Sequence, residues 1–310
     1  MNAYPVWIDC DVGVDDAIAI MAAHALPQLK LLAISTVAGN ATLENTYQNA
    51  HRMNGLMGTN YPVYRGAAQP LQRTLRTGAY FHGKNGLGDV ELPIPQNAVF
   101  RPETAWDALY AAAQKYPHEL RLIAIGPLTN VAIAFTKYPD LPEFLHSVNI
   151  MGGAAVGGNV TPAAEFNIYV DPEAAKMVFD SGVHVVMCGL DVTMKALLRP
   201  EDWEELAATG TPAGVVVRDC LQCAWRYVQQ FGLEGIAMHD SCPVLYLAHP
   251  ELFRGEEAGV VAETRSTLTL GKTVTDVYSD KQFDHKNATV VLDVDRDRFI
   301  AILKDCVKSI

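Results

Sequence analysis

The chain has 310 residues, with 24 Lys+Arg against 35 Asp+Glu for a formal net charge of −11, and is 49% hydrophobic and 19% charged. That balance belongs to a folded globular protein and excludes disordered, collagen-like and coiled-coil classes. The acidic charge argues against a nucleic-acid backbone or an anionic membrane surface as the main partner, and leaves small neutral or cationic ligands open, metal ions included.

In chain order, MNAYPVWIDC has no basic region and no long apolar stretch before its first carboxylate, unlike a signal peptide. Tyr4 to Ile8 reads as a strand, and Asp15 to Ala25, with Ile18, Met21 and Ala22 at helical spacing, as a helix. Leu29 to Val37 is the next strand and Leu43 to Met57 the next helix. The alternation returns with strand Leu120 to Ile125 and helix Leu128 to Lys137, then strand Val148 to Met151, a loop, helix Pro172 to Ser181 and strand His184 to Cys188. Val216 to Tyr227 reads as helix. Val274 to Tyr278 and Thr289 to Leu292 read as a late strand pair, and Arg296 to Val307 as a closing helix. Strand–helix–strand units with continuous apolar strands predict an α/β fold: a mostly parallel, Rossmann-like open sheet with helices on both faces. A single domain over 1–310 is expected. No run approaches the length of a membrane-spanning helix. The scattered cysteines (Cys10, Cys188, Cys220, Cys223, Cys242, Cys306) fit reduced thiols in a cytoplasm, and the Cys220/Cys223 pair has no second pair to complete a zinc site.

In such sheets ligands sit beyond the carboxyl ends of the strands. After the first strand come Asp9, Asp11, Asp15 and Asp16, four carboxylates in eight residues. Capping of the adjoining helix accounts for Asp15 or Asp16 but not for all four. Converging buried carboxylates repel one another unless a cation neutralises them, and a hard divalent ion suits an all-oxygen donor set. An EF-hand is excluded, because Gly13 and Ile20 stand where ligands belong. A haloacid-dehalogenase-like phosphatase, with Asp9 as nucleophile and Asp11 as acid/base, would leave Asp15 and Asp16 idle. The other strand ends carry Ala38-Gly39-Asn40, then Gly126-Pro127-Leu128-Thr129-Asn130, and Gly152-Gly153 with Asn159, Glu165, Phe166 and Asn167 after them. His239-Asp240-Ser241 opens a late apolar segment. Asn and Glu side chains suit hydroxyl groups, and the Arg/Lys fork that phosphate wants is missing.

Together DCDVGVDDA, VAGN, GPLTN, MGGA with EFNIYVDPEAA, and HDS resemble the inosine-uridine-preferring nucleoside hydrolases from Asp9 to Asp240, nearly the whole chain. The resemblance implies a homodimer or homotetramer that binds one Ca²⁺ per subunit and hydrolyses the N-glycosidic bond of ribonucleosides, purine, pyrimidine or both. It implies Asp11, Asp15, Asp16, Asp240 and the main-chain carbonyl of Ile125 as metal ligands, with Asp9 outside that set. Asp15, Asn40, Asn159, Glu165 and Asn167 would bind the ribose, with Met151 and Phe166 beside it. His239 and His82 match histidines at the leaving base, and Trp225 or Tyr227 would form a wall of the base pocket. One departure is Asp11-Val12-Gly13, where the family often has Asp-Pro-Gly.

Asp11 is the candidate acceptor of the proton from the attacking water. His239 is the candidate acid, since an ordinary imidazole titrates near neutrality. A non-catalytic nucleoside-binding protein is the remaining alternative, and it would have no use for His239 beside such a cation.

Overall fold

The computed structural model describes residues 3–277 and 283–310. Thirteen strands occur in these residues: β1 (Tyr4–Cys10), β2 (Leu29–Thr36), β3 (Val63–Arg65), β4 (Phe100–Thr104), β5 (Arg121–Ala124), β6 (Ser147–Met151), β7 (Val185–Cys188), β8 (Leu197–Leu198), β9 (Ile236–Ala237), β10 (Phe253–Ala258), β11 (Val260–Ala262), β12 (Thr273–Thr275) and β13 (Ala288–Val294). Nine of them form one sheet in the order β10-β13-β7-β6-β5-β1-β2-β3-β4, parallel throughout except for the antiparallel β10–β13 edge pair. The two short pairs β8–β9 and β11–β12 lie outside it.

Side chains alternate between the faces along each strand. In β1, Val6, Ile8 and Cys10 join one core, which contains the helices Val14–Ala25, Pro212–Val228, Ser241–Ala248 and Arg296–Lys308. Trp7 points the other way, into a second core with the helices Ala105–Lys115, Thr129–Lys137 and Pro172–Phe179. Helix starts are set locally. Thr42, Thr104 and Asp295 each accept a hydrogen bond from a first-turn N–H of the helix they precede. Among the described residues no helix is long and apolar enough to cross a membrane.

The doubly wound sheet matches the alternation in the sequence, but the late strands do not pair as expected. Thr273–Thr275 pairs with β11, and β13 inserts between β7 and β10. Two β-rich segments close in sequence read as a hairpin; the partners that complete each lie elsewhere, and Tyr278 falls outside the described residues.

The chain leaves β1 toward β2, β3 and β4, then returns to the opposite side of β1 with β5. A crevice therefore opens beyond the ends of β1 and β5, where the winding reverses. Asn130 holds this junction together. Its Nδ2 donates to Asp9 Oδ1 (2.8 Å) and to the Thr36 carbonyl (3.1 Å), and its Oδ1 accepts the Ala67 N–H (2.7 Å). Asn130→Ala leaves these buried partners unpaired, so the unfolding free energy should fall by about 2–4 kcal/mol in a urea titration. A loss below about 0.5 kcal/mol would mean the junction does not depend on it.

Candidate active site

The β1–helix turn brings its carboxylates inside the protein. Asp11 and Asp16 are fully buried, and Asp15 and Asp240 nearly so. Asp16 does cap the helix Val14–Ala25, its Oδ2 accepting from Gly13 N–H (2.7 Å) and Asn40 Nδ2 (3.0 Å). Asp11 Oδ2 accepts the Asn40 N–H at 2.6 Å. The backbone lies close around Asp11: a Cβ at residue 39 would come within 2.1 Å of its Oδ2, and one at 126 within 2.8 Å of its Oδ1. Glycine at both positions is what lets the carboxylate sit there.

One oxygen each of Asp11, Asp15 and Asp16 is buried without a hydrogen-bond partner. Carboxylate oxygens of Asp15, Asp16 and Asp240 lie within 4.8 Å of one another, with Asp11 outside that trio. Burial, then the charge of Asp16, pushes Asp15 up to about 7. Burial with the neighbouring aspartates raises Asp11 and Asp240 as well. Buried, oxygen-only and mutually repelling, this set fits a hard divalent cation. Asp9 lies to one side, bonded to the Ser35 hydroxyl and to Asn130.

Beside the carboxylates opens a pocket of about 260 Å³. Its polar wall comes from strand ends and the loop after β6. Asp15, Asn40, Asn159, Glu165, Phe166 and Asn167 line it, with Ile125 and Met151. Asn167 Nδ2 donates to the carbonyls of Ile125 and Met151, both at 3.0 Å, and so ties β5 to β6. Glu165 caps the helix Phe166–Val170. Its carboxylate accepts the N–H groups of Gly153 (3.0 Å), Asn167 (2.9 Å) and Ile168 (3.1 Å), and burial still pushes it up to about 7.

The rest of the lining includes His82, His239, Tyr227 and four residues without any signal in the strand-end motifs, Tyr80, Phe81, Met194 and Phe231. Tyr227 packs on Tyr80, Phe81 and Phe231 with ring centroids 5.1, 6.0 and 5.2 Å away. Of the two expected wall residues, Tyr227 lines the pocket and Trp225 does not. Trp225, half-buried, packs against the core edge-on to Trp203 at 5.4 Å, because residues two apart on a helix face different ways. His82 Nδ1 accepts the Val14 N–H at 3.2 Å and lies 3.9 Å from Asp15; His239 Nδ1 lies 2.7 Å from the buried Thr193 hydroxyl. The expectation that His239 titrates near neutrality is not met, since burial pushes it down to about 4. His82 falls to about 3, by burial and then by the nearby His239. Thr193 was not among the expected site residues, although it stands just past the carboxyl end of β7, the same kind of position that marks Asn40 and Asp11.

Comparison with known proteins agrees with this architecture. The family model described as "Inosine-uridine preferring nucleoside hydrolase" matches residues 6–301. The chain belongs to that family and is an N-ribosyl hydrolase. It is 44% identical over 308 residues to the pyrimidine-specific ribonucleoside hydrolase RihA of Citrobacter koseri, covering 98% of this chain and 97% of the relative. It is 43% identical over 311 residues to RihA of Escherichia coli K12, covering 99% of each. Among solved structures, the plant nucleoside hydrolase PpNRh1 superposes with a TM-score of 0.92 at 29% identity, covering 99% of both chains. The purine-preferring ribonucleoside hydrolase from Gardnerella vaginalis gives 0.92 at 30% identity, covering 98% of both.

Asp9, Asp15 and Glu165 bind a proton more tightly folded than unfolded, at about 6, 7 and 7. His82 and His239, lowered to about 3 and 4, act the other way below about pH 6.5. The raised carboxylates, Asp11 and Asp240 included, outnumber them. The folded state therefore holds net extra protons between about pH 4 and 7, and the chelator-treated protein should lose thermal stability as pH rises through that window. A melting temperature that is flat or rising there would contradict the buried-carboxylate picture. For the aromatic wall, Trp225→Ala should cost about 1–3 kcal/mol of stability with KM changed less than about 2-fold. Tyr227→Ala should raise KM about 5–10-fold with little change in melting temperature. Steady-state kinetics beside thermal melts would check both.

Proposed function

We propose that this chain is a Ca²⁺-dependent ribonucleoside hydrolase whose better substrates are pyrimidine nucleosides such as uridine. The observation that carries the reading is the buried carboxylate set with unpartnered oxygens, of which Asp15 and Asp240 reach a pocket lined by Asn, Glu, His and aromatic side chains. The pyrimidine preference is supported by the 43–44% identity to pyrimidine-specific relatives, against 30% to the purine-preferring one.

Asp11, Asp15, Asp16, Asp240 and the Ile125 carbonyl are the groups that would hold the ion. When bound, Ca²⁺ orients the ribose hydroxyls and makes a water more acidic. The chain does the rest. Asp11 takes the proton of the attacking water through its unpartnered Oδ1, its other oxygen being held by Asn40. Asn40 and Asp15 receive the 2′ and 3′ side of the sugar, and Asn159, Glu165 and Asn167 the 5′ side. Binding energy from these remote groups is spent on placing the anomeric carbon. Breaking the bond builds positive charge on the ribose and negative charge on the base. The carboxylates suit the first, and the two imidazoles suit the second.

Ribose and free base should appear when a ribonucleoside panel is incubated with the protein, with uridine turned over faster than inosine and a chelator abolishing both. Phosphate release from phosphoesters without nucleoside cleavage would favour the phosphatase alternative instead, and unchanged nucleosides the binding protein. Asp11→Asn should fold and yet lose kcat by about 10²–10⁴-fold, the usual weight of a general base. Near-normal turnover in the Ca²⁺-loaded variant would sink that assignment.

A further inference from the structure

Thr193 ends the short helix Leu190–Thr193 just beyond β7 and is fully buried. Its hydroxyl lies 2.7 Å from His239 Nδ1, and among the described residues it has no other hydrogen-bond partner. Two arrangements satisfy that distance. If Nδ1–H donates, the hydroxyl proton of Thr193 is left without a protein acceptor. If the hydroxyl donates, only oxygen lone pairs are left over. An unpaired buried donor costs about 1–3 kcal/mol, and spare lone pairs are tolerated better. The second arrangement therefore prevails, and a neutral His239 then carries its proton on Nε2.

His82 reaches the same state by another route. A backbone N–H can only donate, so His82 Nδ1 must accept from Val14 and its proton sits on Nε2. With Nδ1 accepting in both rings, each ring is neutral, because a protonated imidazole would carry a hydrogen on both nitrogens.

We infer that Thr193 is a positioning residue that locks His239 in the Nε2–H tautomer, so that the ring offers the departing base a fixed hydrogen-bond donor. The inference rests on the nucleoside-hydrolase reading above and deepens it. As the C1′–N bond breaks, its electron pair leaves with the base and the charge spreads over the ring heteroatoms. The Nε2–H stabilises that charge without being transferred. The attacking water supplies the new C1′–O bond, and its proton balances the one the base gains on release. Without the Thr193 hydroxyl the ring is free to protonate Nδ1 instead, and Nε2 then presents a lone pair to an anion.

The experiment compares wild type, Thr193→Val and Thr193→Ser on uridine and on p-nitrophenyl β-ribofuranoside, whose leaving group departs as a stable anion with little need of a donor. Thr193→Val should lower the uridine to p-nitrophenyl ratio of kcat values by about 10–100-fold, with KM for uridine changed less than about 3-fold. Thr193→Ser should restore most of the ratio. Equal losses on both substrates, an unchanged ratio, or a Ser variant as poor as Val would overturn the inference. ¹⁵N spectra of histidine-labelled wild type, read independently of any variant's folding, should find His239 protonated on Nε2 and bare on Nδ1; the opposite pattern would also overturn it. A wild type that releases no base from any nucleoside would strike the function instead, and the ¹⁵N pattern would still decide the tautomer.

Discussion

The structure depends on holding like charges together at one strand end. Asp11, Asp15, Asp16 and Asp240 are buried side by side; burial raises the proton affinity of all four, and the charges of Asp15 and Asp16 raise it further at Asp11 and Asp240. No arrangement of hydrogen bonds in the protein satisfies all of their oxygens. Buried charge of this kind persists only when something outside the chain neutralises it, so the fold at this point is built for a ligand. The surroundings agree: Gly39 and Gly126 keep Cβ atoms away from Asp11, and the N-terminus of the helix Val14–Ala25 points its N–H groups and dipole at Asp16. Asn130, behind the cluster, clamps the strands that carry it.

A parallel sheet is the natural frame for such a site. Its strands end on one edge, so residues far apart in sequence (Asp11, Asn40, Ile125, Met151) arrive together without any long loop having to fold precisely. The reversal of winding at β1 and β5 leaves a crevice there. Asn167 then fixes the β5–β6 spacing by bonding both main-chain ends.

This explains what was legible in the sequence. Continuous apolar strands and amphipathic helices repeat at short range, so the doubly wound pattern from Tyr4 to Cys188 could be read directly, as could the polar residues just past each strand. Three things could not. The partners of the late strands are decided by long-range pairing, and β13 joins β7 from a hundred residues away. Trp225 and Tyr227 lie on different faces of one helix, and only the packing of that helix decides which of them meets the pocket. The titration of His239 depends on enclosure by elements scattered along the chain, so an ordinary imidazole pKa was the wrong starting point.

The two sides of the pocket differ in how they are held, and this bears on specificity. The Asn and Glu side is bonded to strand ends and to the carboxylate cluster itself, so moving it would disturb that cluster. The aromatic and histidine side comes from residues 80–82, Met194, His239 and the stretch holding Tyr227, Phe231 and Leu233, where Tyr227 touches Tyr80 and Phe231 through ring contacts. Such contacts tolerate exchange of one ring for another at small cost in stability, whereas a buried carboxylate or its glycine neighbour tolerates almost nothing. Within one architecture, relatives whose names specify pyrimidines and purines can therefore differ on the aromatic side of the pocket while the carboxylate cluster stays unchanged. Thr193 belongs to neither class. It lies behind the pocket lining and is fully buried, with its single hydroxyl 2.7 Å from His239 Nδ1.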